Sequence, residues 1–266
     1  MADVWVTVWD DTAGTGEPVL LVHGSTAWGT DPVLGFGAQR PLAGRFRLLV
    51  MDRRGYGASP DIERSDYAVD AADITGLLGQ AGSAHLVGHS YGAVGAMLAA
   101  ARRPETVRSL TLIEPGCYQV AADDPVVAAA LRANRENHAR LPRDLPPEVY
   151  LRAAADSAGW PPLDPTPERL RAAASALREL PCWEAQIPAG PLRDAPFPKL
   201  VIGGTWETAP ALYRQRGGEP LMACARVTAE RTGARLLRVP GASHYPHVER
   251  PGVVNDALCG VFGMAA

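Results

Sequence analysis

The chain has 266 residues, 47% hydrophobic and 21% charged, which suits one globular domain with a sizeable core and argues against wholesale disorder. A formal net charge of -3 and a pI near 6.1 give no field that favours nucleic acid or an anionic membrane surface, and no block of like charges supplies a local one. No apolar run approaches the roughly 18 residues of a membrane span, the start Met1-Ala2-Asp3-Val4-Trp5 lacks the pattern of a secretion signal, and the four cysteines form no CxxC pair, so a reduced, cytoplasmic protein is expected.

Residues 4 to 9 alternate β-branched and aromatic side chains and read as a strand. A turn at Gly14 to Pro18 leads to Val19-Leu20-Leu21-Val22, a short continuous apolar run of the kind buried on both faces of a parallel sheet. Phe46 to Met51 and His85 to Val87 repeat that signal. Between them, Tyr67 to Leu78 carries apolar residues at helical spacing and stops at Gly79. Tyr91 to Arg103 is a Gly/Ala-rich helix ending before Pro104, and Val107 to Ile113 is a further strand. This alternation predicts a doubly wound α/β sheet.

From Pro115 to about Pro198 the strand signals stop. Ala- and Arg-rich helical stretches (Pro125 to Leu141, Pro147 to Ser157, Pro167 to Leu180) are separated by proline clusters, which predicts a helical insertion. Strands return at Lys199 to Gly203 and Arg235 to Val239, with a helix from Pro220 to Arg231 between them and a last helix from Pro251 to Phe262.

Three strand-end segments carry candidate chemistry. Gly88-His89-Ser90-Tyr91-Gly92 fits G-x-S-x-G between a strand and a helix. A nucleophile on so sharp a turn needs small neighbours, and the helix start sets partial positive charge and the Tyr91 N–H beside a developing oxyanion. His23-Gly24-Ser25 follows the Val19 strand, so Ser25 N–H is the candidate second donor, and His23 reads as a brace for its loop. A hydroxyl needs a base near pH 7. His244, in Gly241 to His247 after the last strand, is the best of six histidines; His247 is the fallback. The orienting carboxylate is assigned to Glu207, a few residues past the Lys199 strand, with Glu114 at the end of the Val107 strand as the alternative. Trp28, Trp206 and Tyr245 adjoin these loops and are candidate substrate walls, ordinary packing being the equal alternative. No metal-ligand spacing or phosphate loop is present, and a single lysine, Lys199, leaves little room for Schiff-base chemistry.

These segments, in this order, resemble the α/β-hydrolase superfamily, of the small actinobacterial type, over nearly the whole chain outside the insertion. Asp52-Arg53-Arg54-Gly55-Tyr56-Gly57-Ala58-Ser59 is similar to the family's D-x-R-G-x-G-x-S turn and reads as structural bracing. The resemblance implies a mostly parallel doubly wound sheet with an inserted helical lid. Residues 1–114 and 199–266 are then the core and 115–198 the cap, with seven strands instead of eight because the N-terminus is short for the first antiparallel pair. The order Ser90, Glu207, His244 matches the family's Ser…Asp/Glu…His order, though Glu replaces the commoner Asp. Ser90 stands where dehalogenases and epoxide hydrolases of this fold carry Asp. The Gly-Gly-Ser-Trp-Gly elbow of proline iminopeptidases and the lysine of hydroxynitrile lyases are missing.

The expected protein is a serine hydrolase that cleaves an ester, thioester or lactone of a small to medium organic acid through an acyl-enzyme, without a cofactor. Its expected partner is a small acyl substrate, not nucleic acid or membrane. The alternatives are an acyltransferase or cyclase using the same triad, and a non-hydrolytic ligand-binding descendant.

Overall fold

The computed structural model describes residues 4–142 and 144–263; Met1–Asp3 and Met264–Ala266, at the outer ends of the predicted core segments, and Arg143 lie outside the described residues. The apolar runs become β1 (Val6–Trp9), β2 (Glu17–Val22), β3 (Phe46–Met51), β4 (Ala84–His89), β5 (Val107–Ile113), β6 (Lys199–Gly204) and β7 (Arg235–Val239). They form a seven-stranded sheet in the order β1-β3-β2-β4-β5-β6-β7. Only the edge strand β1 is antiparallel to its neighbour.

The runs read as continuous because both faces of the sheet are covered. Leu20, Val22, Leu49, Met51, Leu86 and Leu112 point into one core, with the helices α1 (Tyr67–Ala81) and α2 (Tyr91–Arg102). Val19, Leu21, Leu48, Val50, Val87 and Ile113 point into the other. Successive side chains leave a strand on opposite faces, so a strand buried on both has no polar positions to spare. Asp66 caps α1 by accepting from Ala68 N–H at 2.7 Å.

Between β5 and β6 no strand occurs among the described residues, and the chain forms α3 (Pro125–Arg140), α4 (Pro147–Ala158), α5 (Pro167–Ala176) and α6 (Ala189–Asp194). The insertion therefore follows the fifth strand of this sheet, one earlier than in an eight-stranded count. After β6 come α7 (Ala211–Tyr213), α8 (Glu219–Thr232), α9 (Pro246–Glu249) and α10 (Pro251–Val261). No helix among the described residues is long and apolar enough to cross a membrane.

Helix α5 is fastened to the loops at the carboxyl edge of the sheet. The buried Arg169 guanidinium donates twice to the Asp31 carboxylate, at 2.7 Å through Nη2, and once to Thr26 O at 3.2 Å. Arg171 donates to the carbonyls of Gly57 and Ser59, each at 2.7 Å, and Ser175 Oγ to Gly55 O at 2.6 Å. Removing one partner of a desolvated ion pair strands the other charge. Arg169→Ala should therefore lower the urea-unfolding free energy by about 3–5 kcal/mol, and the double variant Arg169→Met/Asp31→Leu by much less.

Candidate active site

The turn from β4 into α2 forces Ser90 to φ +52° and ψ -114°, and Ser90 N–H donates to Ile113 O at 2.9 Å. Two glycines permit this approach. A Cβ on Gly88 would lie 2.6 Å from Ala93 Cα, and one on Gly92 would lie 2.4 Å from His23 O. Either addition would push the first turn of α2 away from the strands beneath it. Helix α2 starts one residue after the hydroxyl, so its positive end lies at Ser90.

His244 reaches the elbow from the loop after β7. Its Nε2 lies 3.0 Å from Ser90 Oγ. Its backbone carbonyl accepts a 2.8 Å bond from Nε2 of His89, the elbow's own histidine. The other ring nitrogen, Nδ1, faces Glu114 Oε2 at 3.7 Å, and these two buried atoms have no closer partner. Glu114 Oε1 accepts from Gly204 N–H at 2.6 Å and Trp206 Nε1–H at 3.3 Å, which fixes the carboxylate at the mouth of β5 and β6.

Glu207, the sequence's first choice for the acid, does not meet His244. Its exposed carboxylate accepts from Gly241 N–H at 2.8 Å. The reason lies in the backbone: Trp206 adopts φ +58° and buries its indole beneath Glu114, which turns the next side chain outward. Of five non-glycine residues with positive φ among those described, Thr26, Ser90, Glu114 and Trp206 all lie on the loops at this sheet edge. Such conformations cost about 1–3 kcal/mol each and cluster where a site dictates the backbone.

Tyr91 follows Ser90 on the elbow at the start of α2, and Ser25 lies on the loop after β2. A Cβ on Gly24 would be 3.0 Å from Ser90 Cβ, so the loop after β2 runs against the nucleophile. His23 is the brace anticipated for that loop. Its Nε2 accepts from Arg53 N–H at 2.9 Å, so Nδ1 carries the proton and donates to Gly24 O at 2.7 Å. The Asp52 to Ser59 turn also braces: the Asp52 carboxylate accepts from Gly29 N–H and Ala58 N–H, both at 2.9 Å.

A cavity of about 260 Å³ opens beside Ser25 and Tyr91, walled by Asn134, Tyr150, Glu179 and Trp183 of the helical segment among others. The three aromatics singled out from sequence do not line it. Trp206 is wholly buried under Glu114, and Tyr245 packs with Ala27, Leu34 and Trp160. Trp28 lies under the Arg169 guanidinium, 4.7 Å from its ring centroid. Adjacency to a loop in sequence does not say whether a side chain turns toward the cavity or the core. Sequence reasoning missed Glu179, Tyr150 and Trp183, whose local patterns are those of ordinary helix and loop residues.

Residues 19–257 match the family model described as the alpha/beta hydrolase family. A 2-(acetamidomethylene)succinate hydrolase from Mesorhizobium japonicum is 29% identical over 269 aligned positions, covering 92% of this chain and 87% of that protein. A pimeloyl-(acyl-carrier protein) methyl ester esterase from Aeromonas salmonicida is 34% identical over 118, covering 43% of this chain and 44% of that protein. Among solved structures, a malate-bound thermophilic esterase from Thermogutta terrifontis matches at a TM-score of 0.67 and 25% identity, covering 97% of this chain and 92% of that one.

Burial holds His23 and His89 well below the usual imidazole range, and His247 down to about 3. These rings are neutral when folded and protonate once unfolded, so the unfolded chain binds more protons below about pH 6.5. Stability is therefore lost as the pH falls through that value. His247→Gln should flatten the decline of unfolding free energy between about pH 6.5 and 4.5 by up to ~1.4 kcal/mol per pH unit, measured by urea titration.

Proposed function

This chain belongs to the alpha/beta hydrolase family, and we propose that within it the protein is a serine hydrolase acting through Ser90, His244 and Glu114. The observation that carries the reading is the single imidazole between a hydroxyl at 3.0 Å and a buried carboxylate at 3.7 Å. Closing the second gap to hydrogen-bond length takes roughly 0.8 Å, within what catalytic contacts tighten when substrate binds.

Ser90 Oγ attacks the substrate carbonyl as His244 Nε2 takes its proton. The imidazolium that results donates Nδ1–H to Glu114, whose other oxygen is already occupied by Gly204 and Trp206. Backbone N–H groups of Ser25 and Tyr91 receive the oxyanion at the positive end of α2. The tetrahedral adduct collapses, His244 returns the proton to the leaving group, and an acyl-Ser90 remains. Water attacks that ester with the same imidazole as base, releasing the acid and restoring Ser90.

The helical segment, residues 115–198, acts as the cap that shapes the acyl site. A cavity of about 260 Å³ supports a small to medium acyl group. The ester-named relatives support esters first, with thioesters and lactones as chemical kin. The relative named for an acetamido compound adds amide C–N bonds to the panel to be assayed.

On p-nitrophenyl esters, Ser90→Ala should lose measurable turnover. Glu114→Gln should lower kcat by about 10²–10⁴-fold, by analogy with removing a triad carboxylate, while Glu207→Gln stays within about threefold of wild type. Steady-state kinetics of the three variants decide the assignment, and a larger loss at Glu207 would overturn it.

A further inference from the structure

The two residues given to the oxyanion are tied by their side chains to consecutive residues of the helical segment. Ser25 Oγ donates to Glu179 Oε2, and Tyr91 Oη donates to Leu180 O at 2.9 Å. Both anchors are themselves held. Leu180 N–H donates to Ser65 O at 2.9 Å. Glu179 Oε1 accepts from Arg53 Nη2 at 2.6 Å and from Tyr56 Oη at 2.5 Å.

Arg53 is fully buried at the centre of this arrangement. It also donates to Asp70 Oδ2 at 2.7 Å, Ser65 Oγ at 3.0 Å and Gly24 O at 3.1 Å, and its guanidinium lies 4.1 Å from the Tyr91 ring centroid. Five pieces of chain therefore meet here: the loop after β2, the turn after β3, the start of α1, the elbow and the helical segment.

We propose that Glu179 and Leu180 form a clamp that positions both oxyanion donors, with Glu179, itself on the cavity wall, a positioning residue that acts on the reacting atoms through Ser25. The inference rests on the hydrolase reading, because only there do the N–H groups of Ser25 and Tyr91 have an anion to receive. Such donors work only when they lie about 2.7–3.1 Å from the oxygen that becomes charged, and one of them contributes roughly 10²–10³ in kcat. A loop peptide meets that tolerance when its side chain is pinned. Ser25 and Tyr91 are each pinned, and both line the same cavity. A carboxylate so near an oxyanion would repel it if free. Here its charge is met by one guanidinium and two hydroxyl donors.

Ser25→Ala and Tyr91→Phe remove the two ties, keep every backbone N–H and leave the Arg53–Glu179 pair intact. Each should lower kcat on p-nitrophenyl butyrate by about tenfold while KM stays within about twofold. Affinity for a trifluoromethyl ketone, which mimics the oxyanion, should fall by a similar factor. Glu179→Gln should act in the same direction, and Ser25→Ala/Glu179→Gln should be no worse than its poorer single parent, since both break one bond. Should Glu179→Gln fail to fold, the Ser25 and Tyr91 variants carry the test alone. Values of kcat within about twofold of wild type for both, or losses that multiply in the double variant, would overturn the clamp. Ser90→Ala run in parallel separates the two levels: if it is inactive, a null result at Ser25 and Tyr91 counts against the clamp alone. An active Ser90→Ala would overturn the hydrolase reading on which the clamp stands.

Discussion

A serine hydroxyl attacks a carbonyl near neutral pH only while an imidazole is held against it in one tautomer. Ser90 and His244 lie 154 residues apart in the chain, and neither is placed by local structure alone. Ser90 is held by the left-handed turn between β4 and α2, at φ +52°. His244 is held by its own carbonyl, which accepts from the buried His89 ring at 2.8 Å. Burial holds the His89 imidazole well below its usual range, and because its Nε2 faces a carbonyl, that nitrogen carries the proton and donates. One elbow residue supplies the hydroxyl and its neighbour aims the base.

The same economy governs the carboxylate. Glu114 ends β5 in a left-handed conformation and is gripped by a backbone N–H and an indole N–H from the end of β6. The gripping residues come from the strand on which the acid was first expected. Thus the β6 loop still meets the carboxylate that faces His244, through Trp206 instead of Glu207. Around this centre, buried charge pairs such as Arg169–Asp31 and Arg53–Glu179 fasten the helical segment to the loops at the sheet's carboxyl edge. Helix α5 is thereby part of the site's frame, and the cavity lies between it, α3 and the elbow.

Much of this was readable from the sequence, for physical reasons. Buried parallel strands leave unbroken apolar runs, so β2, β3, β4 and β5 were visible within a residue or two of their ends. The edge strand β1 was placed too, by its run of β-branched and aromatic residues. Ser90 and His244 were legible because strand-to-helix glycines and strand-end position mark them. The acid was not. Two glutamates follow neighbouring strands, and which one turns inward depends on backbone signs at Glu114 and Trp206 that no local pattern encodes. The cap residues were harder still. Glu179 sits in Leu177-Arg178-Glu179-Leu180-Pro181, a string that fits any exposed helix end. Its place beside Ser25 arises from tertiary pairing with Arg53, more than a hundred positions earlier.

The central claim is that one imidazole links the Ser90 hydroxyl to the Glu114 carboxylate. Proton NMR of the protein after covalent reaction with a fluorophosphonate tests it most directly, because the adduct leaves the His244 ring protonated and its Nδ1–H exposed to view at low field. The account predicts such a resonance in the wild type, retained in Glu207→Gln and lost in Glu114→Gln. A resonance that vanishes with Glu207 and survives removal of the Glu114 charge would contradict it.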